Sequence, residues 1–249
     1  MTPKSLYWSQ ADFEIRCEWG MQGVATLTPI SDVMVIVDVL SFSTTVDVAV
    51  SRGATIYPYQ SRDESASDFA KSQDALLATF QRNVTEGYSL APTSMLHIPA
   101  GTRLVLPSPN GSTLSLGTGT VPTFAGCLRN ARAVAEAAGH MGRHIGVIAA
   151  GERWPDGSLR PSLEDQLGAG AIIHYLRGIR SPEADAAEKL FLGFQDNLET
   201  VLMECGSGKE LIDKGFADDV RVAADLNSSN SAPFLMEGAY RQSINTQHD

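Results

Sequence analysis

Four polar loops, each placed after an apolar run, hold side chains able to do chemistry. Asp38 follows Val33 to Val37 and leads into the hydroxyls of Ser41, Ser43, Thr44 and Thr45. Ser108 to Ser112 carries Asn110, and Cys127 to Asn130 carries Arg129 and Asn130. Glu152 to Asp165 begins with Arg153 beside Glu152 and closes on the pair Glu164-Asp165. Oxygen ligands around one or two carboxylates, here Asp38, Glu164 and Asp165, suit Mg²⁺, which keeps waters and bridges to phosphate. Guanidiniums such as Arg129 and Arg153, with the amides of Asn110 and Asn130 and the hydroxyls of Ser43 and Thr44, suit a phosphate or sulfonate. Together these residue types point to metal-assisted chemistry on a small dianion.

Each of these residues also has a plainer reading. Asp38 can cap a turn, and Asn110-Gly111 is a common turn dipeptide. Ser162 to Asp165 has the form of a capping box with Asp in place of Glu. At the first turn of a helix Glu164 gains from the dipole. Arg129 and Arg132 fit a solvated helix face. The convergence of loops is what favours a site, and it requires the four runs to be neighbouring parallel strands whose ends share one edge of a sheet.

Rival motifs are absent or incomplete. There is no GxxxxGK[ST] loop, and Gly117-Thr118-Gly119 is a fragment of GxGxxG without a strong preceding strand. Asp38 lacks the second carboxylate two residues on that a haloacid-dehalogenase-like phosphatase uses. Cys127 and Arg132 are one residue too close for a cysteine-phosphatase loop. The five histidines show no HxH or HExxH spacing, which disfavours zinc. The three cysteines, Cys17, Cys127 and Cys205, read as reduced thiols.

The elements that must position these loops follow from periodicity. Val33 to Val37 is a β-branched run of the kind buried on both faces, and Val46, Ala49 and Val50 continue it as a helix ended by Gly53. Residues 54–59 form a strand that would close a right-handed βαβ unit. A helix is expected over 63–80, and the long aperiodic stretch 81–101 has the length of a functional loop. Strands are expected at 104–106, 121–124 and 145–150, and helices at 131–138, from Ser162 to about Arg177, after Ser181-Pro182 and at 209–213. An edge strand or hairpin is expected near WGMQGVATLTP, a last strand at 220–224, and a polar tail from about residue 227. The pattern is α/β: a three-layer α/β/α arrangement on a mostly parallel or mixed sheet, one domain over 1–249.

Composition narrows the partners. The hydrophobic fraction of 43% indicates a packed protein. A net charge of −10 with only 19 Lys and Arg argues against nucleic acid and leaves an anionic substrate dependent on local positive charge or a metal. No run is long enough to span a membrane and no signal-peptide core opens the chain, so a cytoplasmic location is expected. A homo-oligomer is compatible with all of this.

Five collinear blocks carry a family resemblance: VIVDVLSFSTTVDVAVSRGA, LPSPNGST, GCLRNARAVAE, VIAAGERWPDGSLRPSLEDQLGAGAII and SGKELIDKGFADDV. Over roughly residues 33–222 the chain resembles the 2-phosphosulfolactate phosphatase (ComB-like) family. The resemblance implies a Mg²⁺-dependent acid phosphatase acting on 2-phosphosulfolactate, a step toward coenzyme M. It implies Asp38 and Glu164-Asp165 as metal carboxylates, and Asn110, Gly111 and Asn130 as substrate contacts. Two departures stand out. The family's Asp-Val-Leu-Arg has Ser41 in place of Arg, and Ala91-Pro92 stands where the family has Asn-Ser-Pro. A hydroxyl replaces neither the charge nor the fork of a guanidinium, and Arg129 is the expected substitute from another loop. The alternative function is a non-catalytic small-anion binder that keeps the fold.

Overall fold

The strand Val33–Val37 is buried at every residue, and its side chains alternate between two helical layers. Val33, Val35 and Val37 pack with residues of the helices over 131–141 and 163–175. Met34 and Ile36 pack instead with Val24, Leu27 and Leu114. Burying each such side chain contributes about 1.5–3 kcal/mol, so a strand with no polar face is stable only between two layers. A computed structural model describes residues 7–83 and 87–243 and shows this three-layer α/β/α arrangement.

The strands are β1 (Ile15–Trp19), β2 (Val33–Val37), β3 (Thr55–Tyr59), β4 (Leu76–Leu77), β5 (Arg103–Pro107), β6 (Thr123–Gly126) and β7 (Ile145–Ala149). A small ribbon follows, β8 (Glu152–Arg153) with β9 (Leu159–Arg160), and then β10 (Pro233–Met236) and β11 (Ala239–Gln242). The helices that matter for the site are α1 (Gly20–Leu27), α2 (Phe42–Ser51), α3 (Ser65–Ser72), α4 (Gly111–Gly117), α5 (Ala131–Met141) and α6 (Leu163–Tyr175). They are followed by α7 (Pro182–Phe194), α8 (Leu198–Glu204), α9 (Gly206–Asp213) and α10 (Ala217–Ala224). Nine strands form one mixed sheet in the order β1-β7-β2-β6-β10-β11-β3-β5-β4.

The first four strands of that order are parallel, and so are the last three, β3-β5-β4. Between the two sets stand three antiparallel pairings, β6 with β10, β10 with β11 and β11 with β3. This corrects two expectations. β2 and β3 are not neighbours and form no βαβ unit. Of the four loop-bearing strands only β2, β6 and β7 are adjacent, while β5 belongs to the other set and by the pairing count runs the opposite way. The loop after β5 still meets the loop after β2, through the Gly111 N–H and the Asp38 carboxylate.

Other expectations shift locally. The segment WGMQGVATLTP becomes α1 after an edge strand at Ile15–Trp19. The helix expected over 63–80 stops at Ser72, and Asp74 at φ 47° leads into β4. Residues 217–224 are helical, not a strand, with Asp219, Val220, Ala223 and Ala224 on the buried stripe. The supposed polar tail contains β10 and β11. Their turn, Glu237-Gly238, has φ 52° and 78°, the left-handed pair that a two-residue hairpin turn requires. All three cysteines are free and buried, as expected.

Helix α6 brings its acids to the end of β2 because small residues let it approach. A Cβ on Gly168 would stand 2.6 Å from Val39 Cγ2, and one on Gly170 would stand 2.1 Å from the Ala187 carbonyl oxygen of α7. No helix among the described residues is long and apolar enough to cross a membrane.

Candidate active site

Asp38 is the first residue beyond β2, and hydroxyls tie the turn that follows it. The Asp38 N–H donates to Ser43 Oγ at 3.1 Å, and Ser43 Oγ donates to the Ile36 carbonyl at 3.0 Å. Thr44 Oγ1 donates to the Val39 carbonyl at 2.7 Å. Ser43 and Thr44 are fully buried, and their hydroxyls are engaged in shaping the turn. The turn leaves the Asp38 carboxylate between two helix starts. Oδ1 accepts from the Phe42 N–H of α2 at 3.1 Å, and Oδ2 accepts from the Gly111 N–H of α4 at 3.0 Å. Position 111 must be glycine, since a Cβ there would lie 2.2 Å from Phe42 Cδ1. Burial outweighs both donors and raises the Asp38 pKa to about 6, with Glu164 adding to the rise and Arg82 opposing it.

Asp165 is a cross-link between loops. Its Oδ1 accepts from the Val39 N–H at 2.7 Å. Its Oδ2 accepts from the Gly151 N–H and from Ser162 Oγ, both at 2.8 Å. These donors fix the loops after β2 and β7 to the start of α6, and the capping box expected within α6 is not formed, because Ser162 makes no side-chain cap. Burial, then Glu164 and Asp38, push the Asp165 pKa well above its usual value. Glu164, 2% exposed, accepts from Cys205 Sγ at 3.4 Å.

A pocket of about 440 Å³ opens beside Asp38, lined among others by Ser41, Arg62, Arg82, Asn110 and Glu152. Asn110 Nδ2 donates to Glu152 Oε2 at 3.2 Å and to the Gly151 carbonyl at 3.4 Å, joining the loops after β5 and β7. Burial, reinforced by Asp38 and Glu164, raises the Glu152 pKa to about 7, with Arg160 opposing.

Of the expected binding residues, Asn110 and Gly111 are at the site, Ser43 and Thr44 are buried in the Asp38 turn, and Arg129, Asn130 and Arg153 are held elsewhere. Arg129 Nε donates to buried Asp47 at 3.0 Å, and Nη1 donates to the Val222 carbonyl and lies 3.6 Å from Asp225. Asn130 Oδ1 accepts from the Cys127 N–H and Nδ2 donates to the Ala125 carbonyl, a closed turn. Arg153 is exposed on the ribbon, donating to the Gly157 carbonyl.

Positive charge reaches the pocket from two arginines that the sequence did not single out. Arg82 Nη2 donates to Ser41 Oγ at 2.7 Å, so a guanidinium stands beside the position where the resembled family carries its own. Arg82 Nη1 meets Asp219 Oδ2 at 2.9 Å. Arg62 follows β3. The signal for Arg82 was the long stretch 81–101, and that for Glu152 was its place directly after the β7 run.

The donor set suits a hard cation through oxygen, but only with few protein ligands. Among the described residues no three acidic, His or Cys side chains are arranged as a metal cluster, and every oxygen of Asp165 is engaged by backbone or Ser162. Mg²⁺ is commonly held by one or two carboxylates plus waters and substrate phosphate. Asp38, which lines the pocket and takes one donor on each oxygen, suits that role with Glu164 beside it; Asp165, expected as a further ligand, takes three donors in the loop cross-link.

Comparison with known proteins covers nearly the whole chain. The model of the family described as 2-phosphosulpholactate phosphatase matches residues 23–238. A protein named "Probable 2-phosphosulfolactate phosphatase" from Carboxydothermus hydrogenoformans is 30% identical over 215 residues, 82% of this chain and 87% of its own. The "2-phosphosulfolactate phosphatase" of Methanothermobacter thermautotrophicus is 28% identical over 212 residues, 84% of this chain and 88% of its own. A protein of Thermotoga maritima, named like the first, is 27% identical over 213 residues, 83% of this chain and 90% of its own.

Proposed function

This chain belongs to the 2-phosphosulfolactate phosphatase family, and from that premise we propose that it hydrolyses a small anionic phosphate monoester at Asp38, 2-phosphosulfolactate or a close relative. The observation that carries the reading is the Asp38 carboxylate in the wall of a polar pocket, held by the first N–H groups of two helices. Two anchored oxygens fix its direction, and a fixed charge is worth more in catalysis than a mobile one.

The phosphoryl group is bound at the Asp38 end of the pocket, where Asn110 Nδ2 can turn toward one of its oxygens. Asp38 and Glu164 are the residues that would hold Mg²⁺, which would supply Lewis-acid chemistry when bound. Glu152 keeps a proton near neutral pH and faces the same pocket. It donates that proton to the departing alkoxide oxygen, leaving the alcohol and a carboxylate. Water attacks phosphorus, with Asp38 held by its two backbone donors as a charge-positioning group rather than as the nucleophile. Rapid acid quench during turnover should therefore recover no phosphorylated Asp38.

The direct test is phosphate release from 2-phosphosulfolactate and a panel of acidic phosphate monoesters, with Mg²⁺ and with chelator. Asp38→Asn should lower kcat on the order of 10²- to 10³-fold. No hydrolysis of any ester by metal-replete protein would defeat the reading. Thermal stabilisation by those esters without phosphate release would favour the binding role instead.

A further inference from the structure

We propose that Arg62 and Arg82 form a receptor for a second acidic group on the substrate, a carboxylate or sulfonate, with Asp219 as the residue that positions Arg82. The proposal rests on the phosphatase reading for the position of the phosphoryl group, and it adds which residues choose among phosphate esters. Arg82 and Arg62 line the same pocket as Asp38; burial lowers the Arg62 pKa most, Arg82 adds to the fall and Glu152 opposes it. Like charges gathered in one pocket are unfavourable unless something bridges them.

The partners are unevenly shared. Asp219, 1% exposed, accepts from Arg82 Nη1 through Oδ2, and its Oδ1 accepts from both the N–H and Oγ1 of Thr93, at 3.2 and 2.6 Å. Ser41 Oγ takes Nη2, so the fork of Arg82 is fixed from two sides. Arg62 makes no hydrogen bond or ion pair among the described residues. Lys214, also at the pocket, is already paired with Glu210. One fixed guanidinium and one without a partner among the described residues suit a planar or tetrahedral acid that spans both. The phosphoryl group belongs at Asp38, so the acid held here is the ester's other end.

Sulfoacetate, which has a sulfonate and a carboxylate but no phosphate, probes the receptor apart from turnover. Calorimetry should show binding to the wild-type chain, weakened roughly 10- to 100-fold by Arg62→Gln and little changed by Asp38→Asn. Arg62 is exposed, so its variant folds; Arg82→Lys keeps the ion pair to Asp219 while losing the fork, and should weaken binding too. In turnover of 2-phosphosulfolactate, Arg62→Gln should raise KM by a similar factor with kcat nearly unchanged. Asp219→Asn should raise KM in the same way, with a melting temperature within reach of the assay. Wild-type protein that fails to bind sulfoacetate, or binding indifferent to Arg62→Gln, overturns the proposal even if esters are hydrolysed. Sulfoacetate binding through Arg62 in a protein that hydrolyses nothing supports the receptor and removes the phosphatase.

Discussion

Asp38 and Asp165 sit within one cluster of loops, and the donors around them separate their roles. Asp165 receives three donors from three segments, whereas each Asp38 oxygen receives one and the carboxylate still reaches the pocket. Asp165→Ala would leave buried donors of Val39 and Gly151 unpaired. At about 1–3 kcal/mol for each orphaned group, denaturant titration should show a loss of several kcal/mol. Unchanged stability would mean that the cross-link is dispensable. The raised acids also predict a pH dependence. Asp38 moves from 3.8 to about 6 and Glu152 from 4.5 to about 7, so the folded chain binds more protons than the unfolded one between those values. Stability from these groups is complete at low pH and is lost as pH rises through about 6 and then about 7. In chelator the melting temperature should therefore fall across that window, and Mg²⁺ should lessen the fall by replacing the protons. A melting temperature that climbs over the same range in chelator would contradict this.

At the level of elements, sequence patterns were most legible where burial is complete on both faces. β2, with all residues buried, has the bounds its apolar run suggested, β7 ends one residue short of its run, and α6 begins after Ser162 as expected. Asp38 was legible for the same reason: a carboxylate ending a fully apolar run has few places to go. The misses have physical causes. In residues 217–224 the alternation of Val220 and Val222 imitates a strand, but the buried stripe follows a helical spacing. β10 and β11 are four residues each and half-buried, too short for alternation to rise above a polar neighbourhood. Arg129 looked available because spacing says nothing of Asp47, 82 residues away in sequence, which holds it. Arg82 was hidden because its partner Asp219 lies 137 residues on. The β10–β11 hairpin is what joins β6 to β3. A chain ending at residue 227 should lose cooperative unfolding, read as a broad, low-amplitude thermal transition. A sharp melt like that of the full chain would show that the two parallel sets hold together without it.

For the molecule as a whole, the difficulty is to draw an anion into a protein of net charge −10. The long-range field opposes a dianion, so recognition has to be local and short-ranged. The pocket gathers acids and arginines, and loops from both parallel sets contribute to it. β2 and β7 supply Asp38 and Glu152, while Arg62 and Asn110 come from the loops after β3 and β5. A ligand that meets both Asp38 and the two arginines must carry a second acidic group besides the reacting one. The most direct check is a crystal structure of the Asp38→Asn protein soaked with 2-phosphosulfolactate. The phosphoryl group should lie against residue 38 and Asn110, with the ester's acidic end between Arg62 and Arg82. A phosphoryl group seated between the two arginines, with residue 38 facing only solvent, would contradict the assignment of the reaction to Asp38.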